Sequence, residues 1–226
     1  MKGKERKRWN AAVGLIDRGE ARLGRYFSYQ VLHNTRHLVF ALSRYKFAAK
    51  MLPGPRRPSV LELGCSEGVG TLILAERSAS VTAVDFDAAS VDWAAKNIGD
   101  KKIKFIAGDF LGRTYGRFDA AVSIDVIEHI PSAKTGLFMR TLAGNLAPGG
   151  FCVVGTPNKT ADRYASPESR KGHVNTFTAE RLRATFSRYF RNVFLFGMND
   201  EVLHTGFEPM CQYLFVLACG PLRRRP

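Results

Sequence analysis

LELGCSEGVGT, Leu61 to Thr71, is a short apolar run that breaks into a turn carrying Gly64, Gly68 and Gly70. A run of this length reads as a buried strand. Glycines at its end let the chain turn tightly and let a ligand approach the backbone. The same unit recurs downstream. Apolar runs SVTAVD (Ser80–Asp85), IKFIAG (Ile103–Gly108), FDAAVSI (Phe118–Ile124) and GFCVVGT (Gly150–Thr156) are separated by helical patterning over 67–78, 88–98 and 132–146. Such alternation predicts βαβ units and a parallel sheet. APGG, Ala147–Gly150, is the turn before the fifth strand.

Past an irregular stretch, 156–176, a helix is expected from Thr178 to about Tyr189. RNVFLFG (Arg191–Gly197) and MCQYLFVLACG (Met210–Gly220) then read as two strands with no helix between them, which pair antiparallel. Upstream, VLHNTRHLVFALSRYKFAAKML (Val31–Leu52) spaces Leu32, Leu38, Leu42 and Phe47 at helical period until PGPRRP (Pro53–Pro58) stops it. The expectation is an α/β fold: a seven-stranded, mostly parallel Rossmann-like sheet with an antiparallel last strand and an N-terminal helical cap over 24–50. Residues 1–52 form a basic tail and cap, and residues 53–226 the main domain.

Composition narrows the class. Of 226 residues, 45% are hydrophobic and 24% charged, as in soluble globular chains. The first eighteen residues lack the apolar block of a secretory signal. YLFVLACG is too short to span a bilayer, so no membrane partner is expected. The four cysteines (Cys65, Cys152, Cys211, Cys219) show no metal-type spacing and suit a reducing, cytoplasmic setting. The net charge of +14 raises RNA as a partner. Half of that excess lies in residues 1–8 and in Arg223–Arg225, which also read as frayed, solvated ends.

The ligand of the glycine turn is chosen by charge. A phosphate-gripping loop needs a lysine that is absent. A dinucleotide loop needs glycines where Ser66 and Val69 stand, and Glu62 and Glu67 would repel phosphate. An acidic loop suits a ligand with an ammonium, a sulfonium and no phosphate, which describes S-adenosylmethionine.

With these motifs the chain resembles the class I S-adenosylmethionine-dependent methyltransferases over about 58–156. VLELGCSEGVG is similar to their first motif, with Ser66 where a middle glycine is usual. VTAVDFD ends a second strand with Asp85, whose carboxylate would accept both ribose hydroxyls. IAGDF is similar to the adenine-contacting motif, where Asp109 would accept the exocyclic amine and Phe110 pack on the ring. FDAAVSIDVIEHI and LAPGGFCVVGTPN resemble the fourth- and fifth-strand motifs. The resemblance implies a cofactor set of Glu62, Gly64, Cys65, Ser66, Gly68, Asp85, Phe86, Gly108, Asp109, Phe110 and Asp125. A looser similarity over 155–180 and 194–207 points to bacterial enzymes of glycan or secondary-metabolite pathways.

The cluster IDVIEHIP, Ile124–Pro131, places Asp125, Glu128 and His129 at i, i+3 and i+4, one face if the chain turns helical. With His173 it resembles the E-x-x-E-H motif and later histidine of ubiquinone-pathway O-methyltransferases and small-RNA terminal 2′-O-methyltransferases, where these residues hold a divalent ion. Asp125 stands for the first glutamate. Three readings stay open. The four residues hold magnesium, manganese or zinc; His129 is a general base oriented by Glu128; or Asp125 binds the cofactor's amino group while Glu128 and His129 are structural. Tyr26, Tyr29, His33 and His37 are candidates to touch cofactor or acceptor, or else the polar side of a packed helix. Asn199 and His204 in MNDEVLHTGF (Met198–Phe207) are candidate acceptor contacts or a polar turn.

The function expected is methyl transfer to a small molecule, an O-methylation of a sugar or hydroxylated metabolite. RNA 2′-O-methylation, N-methylation of an amino sugar and a non-catalytic cofactor-binding module compete with it. Acceptor identity, oligomeric state and pathway are not specified by the sequence.

Overall fold

A computed structural model describes residues 3–16 and 22–222. Lys2 and the Arg223–Arg225 run, read above as parts of the basic ends, lie outside the described residues. The rest of the first end is helical: α1, Gly3–Val13, which buries no side chain. Where one N-terminal helix was expected there are two, α2 (Arg25–His33) and α3 (Thr35–Met51). Asn34 divides them: its backbone leaves the helical region and its side chain accepts the His37 N–H at 3.2 Å, capping α3.

The sheet follows the expected alternation. β1 (Ser59–Leu63) leads to α4 (Val69–Ala75), β2 (Ser80–Asp85) to α5 (Ala88–Asn97), and then come β3 (Ile103–Ala107) and β4 (Phe118–Ile124). After α6 (Thr135–Gly144) and β5 (Leu146–Pro157), a short α7 (Pro167–Gly172) lies in the stretch read as irregular, followed by α8 (Ala179–Ser187). Strands β6 (Phe190–Asn199), β7 (Val202–His204) and β8 (Tyr213–Pro221) close the chain. The order is β3-β2-β1-β4-β5-β8-β6-β7. Strands β1 to β5 pair parallel, and β8 is antiparallel to both β5 and β6.

The described residues thus hold eight strands, not seven. The extra one is β7, in the segment read as a loop. Asp200 adopts a positive φ of 51°, which aspartate tolerates better than most residues, and the two-residue turn folds Val202–His204 back onto β6.

Neighbouring residues of β1 face opposite cores. Leu61 and Leu63 pack with Phe138, Leu182 and Phe186 of α6 and α8. Val60 packs with Tyr45, Phe47 and Ala48 of α3, with Leu74 of α4 and with Val91 of α5. Period-2 alternation in a strand covered on both faces accounts for its near-continuous burial. Phe47 anchors α3 to the sheet, with ring centroids 5.4 Å from Phe196 and 4.5 Å from Phe215. Because β1, β2, β4 and β5 run parallel, Gly64, Asp85, Asp125 and Thr156 come to one edge, where ligands of open α/β sheets bind.

Candidate functional site

At the end of β1 the glycine turn is built by close approach. Gly64 has φ 88°, and a Cβ there would stand 2.1 Å from Val126 Cγ2. Ser66, where the related motif has glycine, is held at φ 48°. Its N–H donates to Asp85 Oδ2 at 2.8 Å, which helps to hold a conformation unusual for a side-chain-bearing residue. The other Asp85 oxygen accepts from the Asp87 N–H at 2.9 Å. Gly68, at φ 75°, opens α4. Next along the edge, Phe86 is 77% exposed and Gly108 has no atom within 4 Å of where a Cβ would stand. Asp109 is exposed, and its carboxylate accepts the Leu111 N–H at 2.9 Å.

Three expected cofactor residues turn inward instead. Glu62 is buried, accepts from Thr71 Oγ1 at 2.6 Å and lies beside the buried Tyr45 hydroxyl. Burial pushes its carboxyl up to about 7. Cys65 is buried, and burial raises its thiol. Phe110 packs edge-on against Phe138 in the core, so its ring is not offered to the edge. Motif position assigned these three; their side chains are directed into the core.

Glu67 was read as repelling phosphate. Its carboxylate is only 3% exposed and accepts the Tyr26 and Phe27 N–H groups at 2.8 and 3.2 Å. It therefore satisfies two orphan donors at the start of α2, where the helix dipole favours an anion and Gly24 offers no side-chain cap. Glu67 ties the N-terminal helix to the glycine loop. Replacing Glu67 with Ala is expected to lower stability by about 1–2 kcal/mol, as for lost caps. Amide exchange should rise selectively in 25–33; unchanged exchange there would remove this role.

The second cluster lies at the end of β4. Asp125 takes φ 57°, and the chain then forms a 3-10 turn over Ile127–His129, so the expected α-helical face does not form. Asp125 turns to Arg44 of α3, with Nη1 donating to Oδ2 at 2.7 Å. The guanidinium lies 4.0 Å from the Tyr213 ring centroid. Sequence reading missed Arg44, because a single arginine in an amphipathic helix carries no signal of a partner 81 positions away.

Glu128 is fully buried. Its Oε2 accepts from Thr156 Oγ1 at 3.0 Å and its Oε1 has no partner. Burial first, then the charge of Asp125, raise its carboxyl well above the usual range. His129 is exposed and donates its Nδ1–H to the Gly172 carbonyl at 2.9 Å, which leaves Nε2 with the lone pair. His173 sits at the end of α7 with its ring centroid 5.0 Å from that of His129. Burial and the neighbouring His129 lower its pKa, favouring neutral imidazole. One ligand atom each from Glu128, His129 and His173 lie within 4.8 Å of one another. Three of the four expected metal ligands therefore converge, and Asp125 is left out by its pairing with Arg44.

The remaining candidates divide. The Tyr26 hydroxyl and His37 Nε2 are 3.2 Å apart, and Tyr26 feels the charges of Asp125 and Arg44. Tyr29 is exposed, its ring centroid 4.8 Å from that of His33 and tilted 42° to it. Asn199 Oδ1 accepts the Gln212 N–H at 2.7 Å, and its amide lies 3.3 Å from His204 Nε2. These two residues brace the β6–β8 connection. Gln30, also unforeseen, is buried with an unpartnered Oε1.

A methyltransferase domain family matches residues 31–189. A ubiquinone biosynthesis O-methyltransferase of Caulobacter sp. (strain K31) is 33% identical over 111 residues, 47% of this chain and 43% of the relative. The chain thus spans less than half the length of the curated relatives it matches first. Among solved structures, the methyltransferase domain of bacterial CtHen1-C aligns with a TM-score of 0.64 at 20% identity, covering 79% of this chain and 98% of that one. The N-methyltransferase NodS from Bradyrhizobium japonicum WM9 aligns at 0.61 and 19% identity, covering 84% and 99%. These structural likenesses speak for the fold.

Proposed function

The chain belongs to the class I S-adenosylmethionine-dependent methyltransferases, and on that premise we propose that it O-methylates a small hydroxylated acceptor, a sugar or other hydroxylated metabolite. The observation that carries the reading is the convergence of Glu128, His129 and His173 at the strand edge, with the Glu128 Oε1 unpartnered and the His129 Nε2 free to accept a proton. An oxygen acceptor must lose a proton as the methyl moves, which calls for such groups. The curated relatives named as O-methyltransferases support the choice of oxygen.

S-adenosylmethionine would be held at the ends of β1 to β3. The Asp85 carboxylate would accept the ribose hydroxyls, and the glycine turn would admit the methionine portion to the backbone. Phe86 and Asp109 would flank the adenine. Helices α2 and α3 cover this edge, α2 through the Glu67 tie, and the elements from β1 onward form the methyltransferase body. Excluding water strengthens the electrostatics at the reacting sulfonium. The acceptor enters beside β4, its hydroxyl directed at His129. Transfer is an in-line displacement, so holding the oxygen behind the methyl supplies much of the rate. His129 Nε2 takes the hydroxyl proton, and Glu128 orients the acceptor or the imidazolium.

Two imidazoles and a buried carboxylate with a spare oxygen also fit a divalent ion. Glu128, His129 and His173 would hold it, and bound there it would lower the hydroxyl's pKa. The four free cysteines suit the cytoplasmic setting.

The test uses S-adenosylmethionine labelled in its methyl group, offered catechols, sugars, amino sugars and total RNA. Label in a small-molecule ether is the expected result. Label in RNA or on nitrogen would overturn the reading. Repeating the assay in chelator, with magnesium, manganese or zinc added back, separates ion from base. Full activity in excess chelator leaves His129 as the base.

A further inference from the structure

The inward side of the helical cap carries polar groups that the proposed reaction leaves unused. Tyr26 and Gln30 stand one turn apart on α2, and His37 and Arg44 stand two turns apart on α3. Gln30 is buried, at 6% exposure. Burial raises the Tyr26 phenol, and a hydrogen bond from Gln30 acts against that rise, as a donated N–H does. The phenol oxygen lies 3.2 Å from His37 Nε2. Burial lowers the His37 pKa and favours the neutral ring, whose Nε2 can accept a hydrogen bond from the phenol O–H. The Gln30 amide N–H is thus committed, while its Oε1 is buried with no hydrogen-bond partner. A buried acceptor left unpaired is costly, so a donor arriving from outside the chain would be held there firmly.

Contacts on either side locate that oxygen. The Tyr26 N–H donates to Glu67 at 2.8 Å, and Glu67 lies in the glycine turn between Ser66 and Gly68. Gln30 follows about 6 Å along the helix axis. Tyr26 and His37 both feel the charges of Asp125 and Arg44, which sets the pair against the end of β4. β1 and β4 are neighbours at the point where the strand order reverses. With the ribose at Asp85, the amino-acid end of the cofactor would fall in this gap. That end carries an ammonium, which only donates, and a carboxylate, which only accepts. The nearby acids are already engaged. Asp125 meets Arg44 and the Tyr213 hydroxyl, Glu67 meets two helix N–H groups, and Glu62 meets Thr71.

We propose that Gln30 is a cofactor-binding residue whose Oε1 accepts a hydrogen bond from the ammonium of S-adenosylmethionine. Tyr26 and His37 act as positioning residues: they hold the amide N–H, so that the oxygen faces the ligand. The chemistry of the free atom chooses the ligand group. An amide oxygen repels a carboxylate and attracts an ammonium. The inference rests on the cofactor placement given above and on neither the acceptor nor the base. Sequence gave no sign of this role, because Gln30 stands in α2, outside every cofactor motif.

Calorimetry on the full chain uses two probes, S-adenosylhomocysteine and its deaminated analogue, which keeps the carboxylate. The native chain should bind the first about 10- to 100-fold more tightly, the range for a hydrogen bond to a charged group. Gln30→Met keeps the length of the side chain and should lose most of that preference. It should bind S-adenosylhomocysteine about 10- to 100-fold less tightly and the deaminated probe as before. Gln30→Glu restores an acceptor and should keep the preference. Tyr26→Phe should reduce it only in part, a change of selectivity that a merely structural role would not produce. Equal affinity of the native chain for the two probes would overturn the proposal, whatever the variants do. So would unchanged S-adenosylhomocysteine affinity in Gln30→Met, an equal loss for both probes, or a rise in acceptor KM alone. Asp85→Ala tests the placement separately, because it should weaken both probes alike; if it weakens neither, the cofactor placement itself falls.

Discussion

Asp85→Ala is expected to weaken S-adenosylmethionine binding by about 10- to 150-fold, the equivalent of about 1.5–3 kcal/mol for losing hydrogen bonds to a charged acceptor. The carboxylate stands at the end of β2, and its two oxygens already accept the Ser66 and Asp87 N–H groups. Those bonds orient it and leave lone pairs for two ribose hydroxyls. The substitution also releases Ser66 from its φ of 48°, so the turn itself should loosen and the melting midpoint fall. Asp85→Asn retains one acceptor oxygen and should lie between. Titration calorimetry on samples that are still folded reads the effect. Unchanged affinity in Asp85→Ala would remove the ribose assignment.

His129→Ala should lower kcat/KM by about 100- to 10,000-fold while leaving cofactor affinity intact, the range for losing a general base. The residue is exposed, and its side chain's hydrogen bond is to the Gly172 carbonyl, so the fold should tolerate the change. Glu128→Gln should give a similar loss with a distinct pH profile. Burial and Asp125 hold the Glu128 carboxyl well above its usual range. Activity that depends on the ionised form therefore rises with pH as the proton leaves, and the glutamine variant should lose that limb. The same raised pKa means that stability is fullest below the unfolded value and falls as pH rises through the folded one. Glu128→Gln should accordingly flatten the fall in stability between the ordinary carboxylate range and about pH 8. Retained activity in His129→Ala would remove both the base and the ion readings.

How far the chain could be read without coordinates differs from element to element. The parallel strands announce themselves, because central strands buried on both faces must be apolar throughout and must end where glycine or aspartate can turn. Val60–Leu63 and Ala120–Ile124 carry that pattern except at Glu62 and Ser123, which are buried polar residues. The turn at Asp200 does not, since β7 is only three residues long and its pairing depends on one backbone angle. Within the glycine loop, motif position placed Gly64, Ser66 and Asp85 at the edge but said nothing about side-chain direction. Phe110 therefore reads as a cofactor contact in sequence and as core in space.

The sequence by itself determined the α/β class, the order of the strands along the chain, the acidic lysine-free turn and the presence of Glu128, His129 and His173. These rest on periodicity, turn chemistry and residue type, which are local properties. Only the tertiary structure decided that Glu67 caps α2 rather than meeting the ligand. It also decided that Asp125 pairs with Arg44, 81 positions away, and that His173 swings back to His129. A carboxylate is drawn to whichever donor or cation the fold brings within reach. That choice depends on packing α2 and α3 over the sheet edge, and a linear pattern does not encode such proximity.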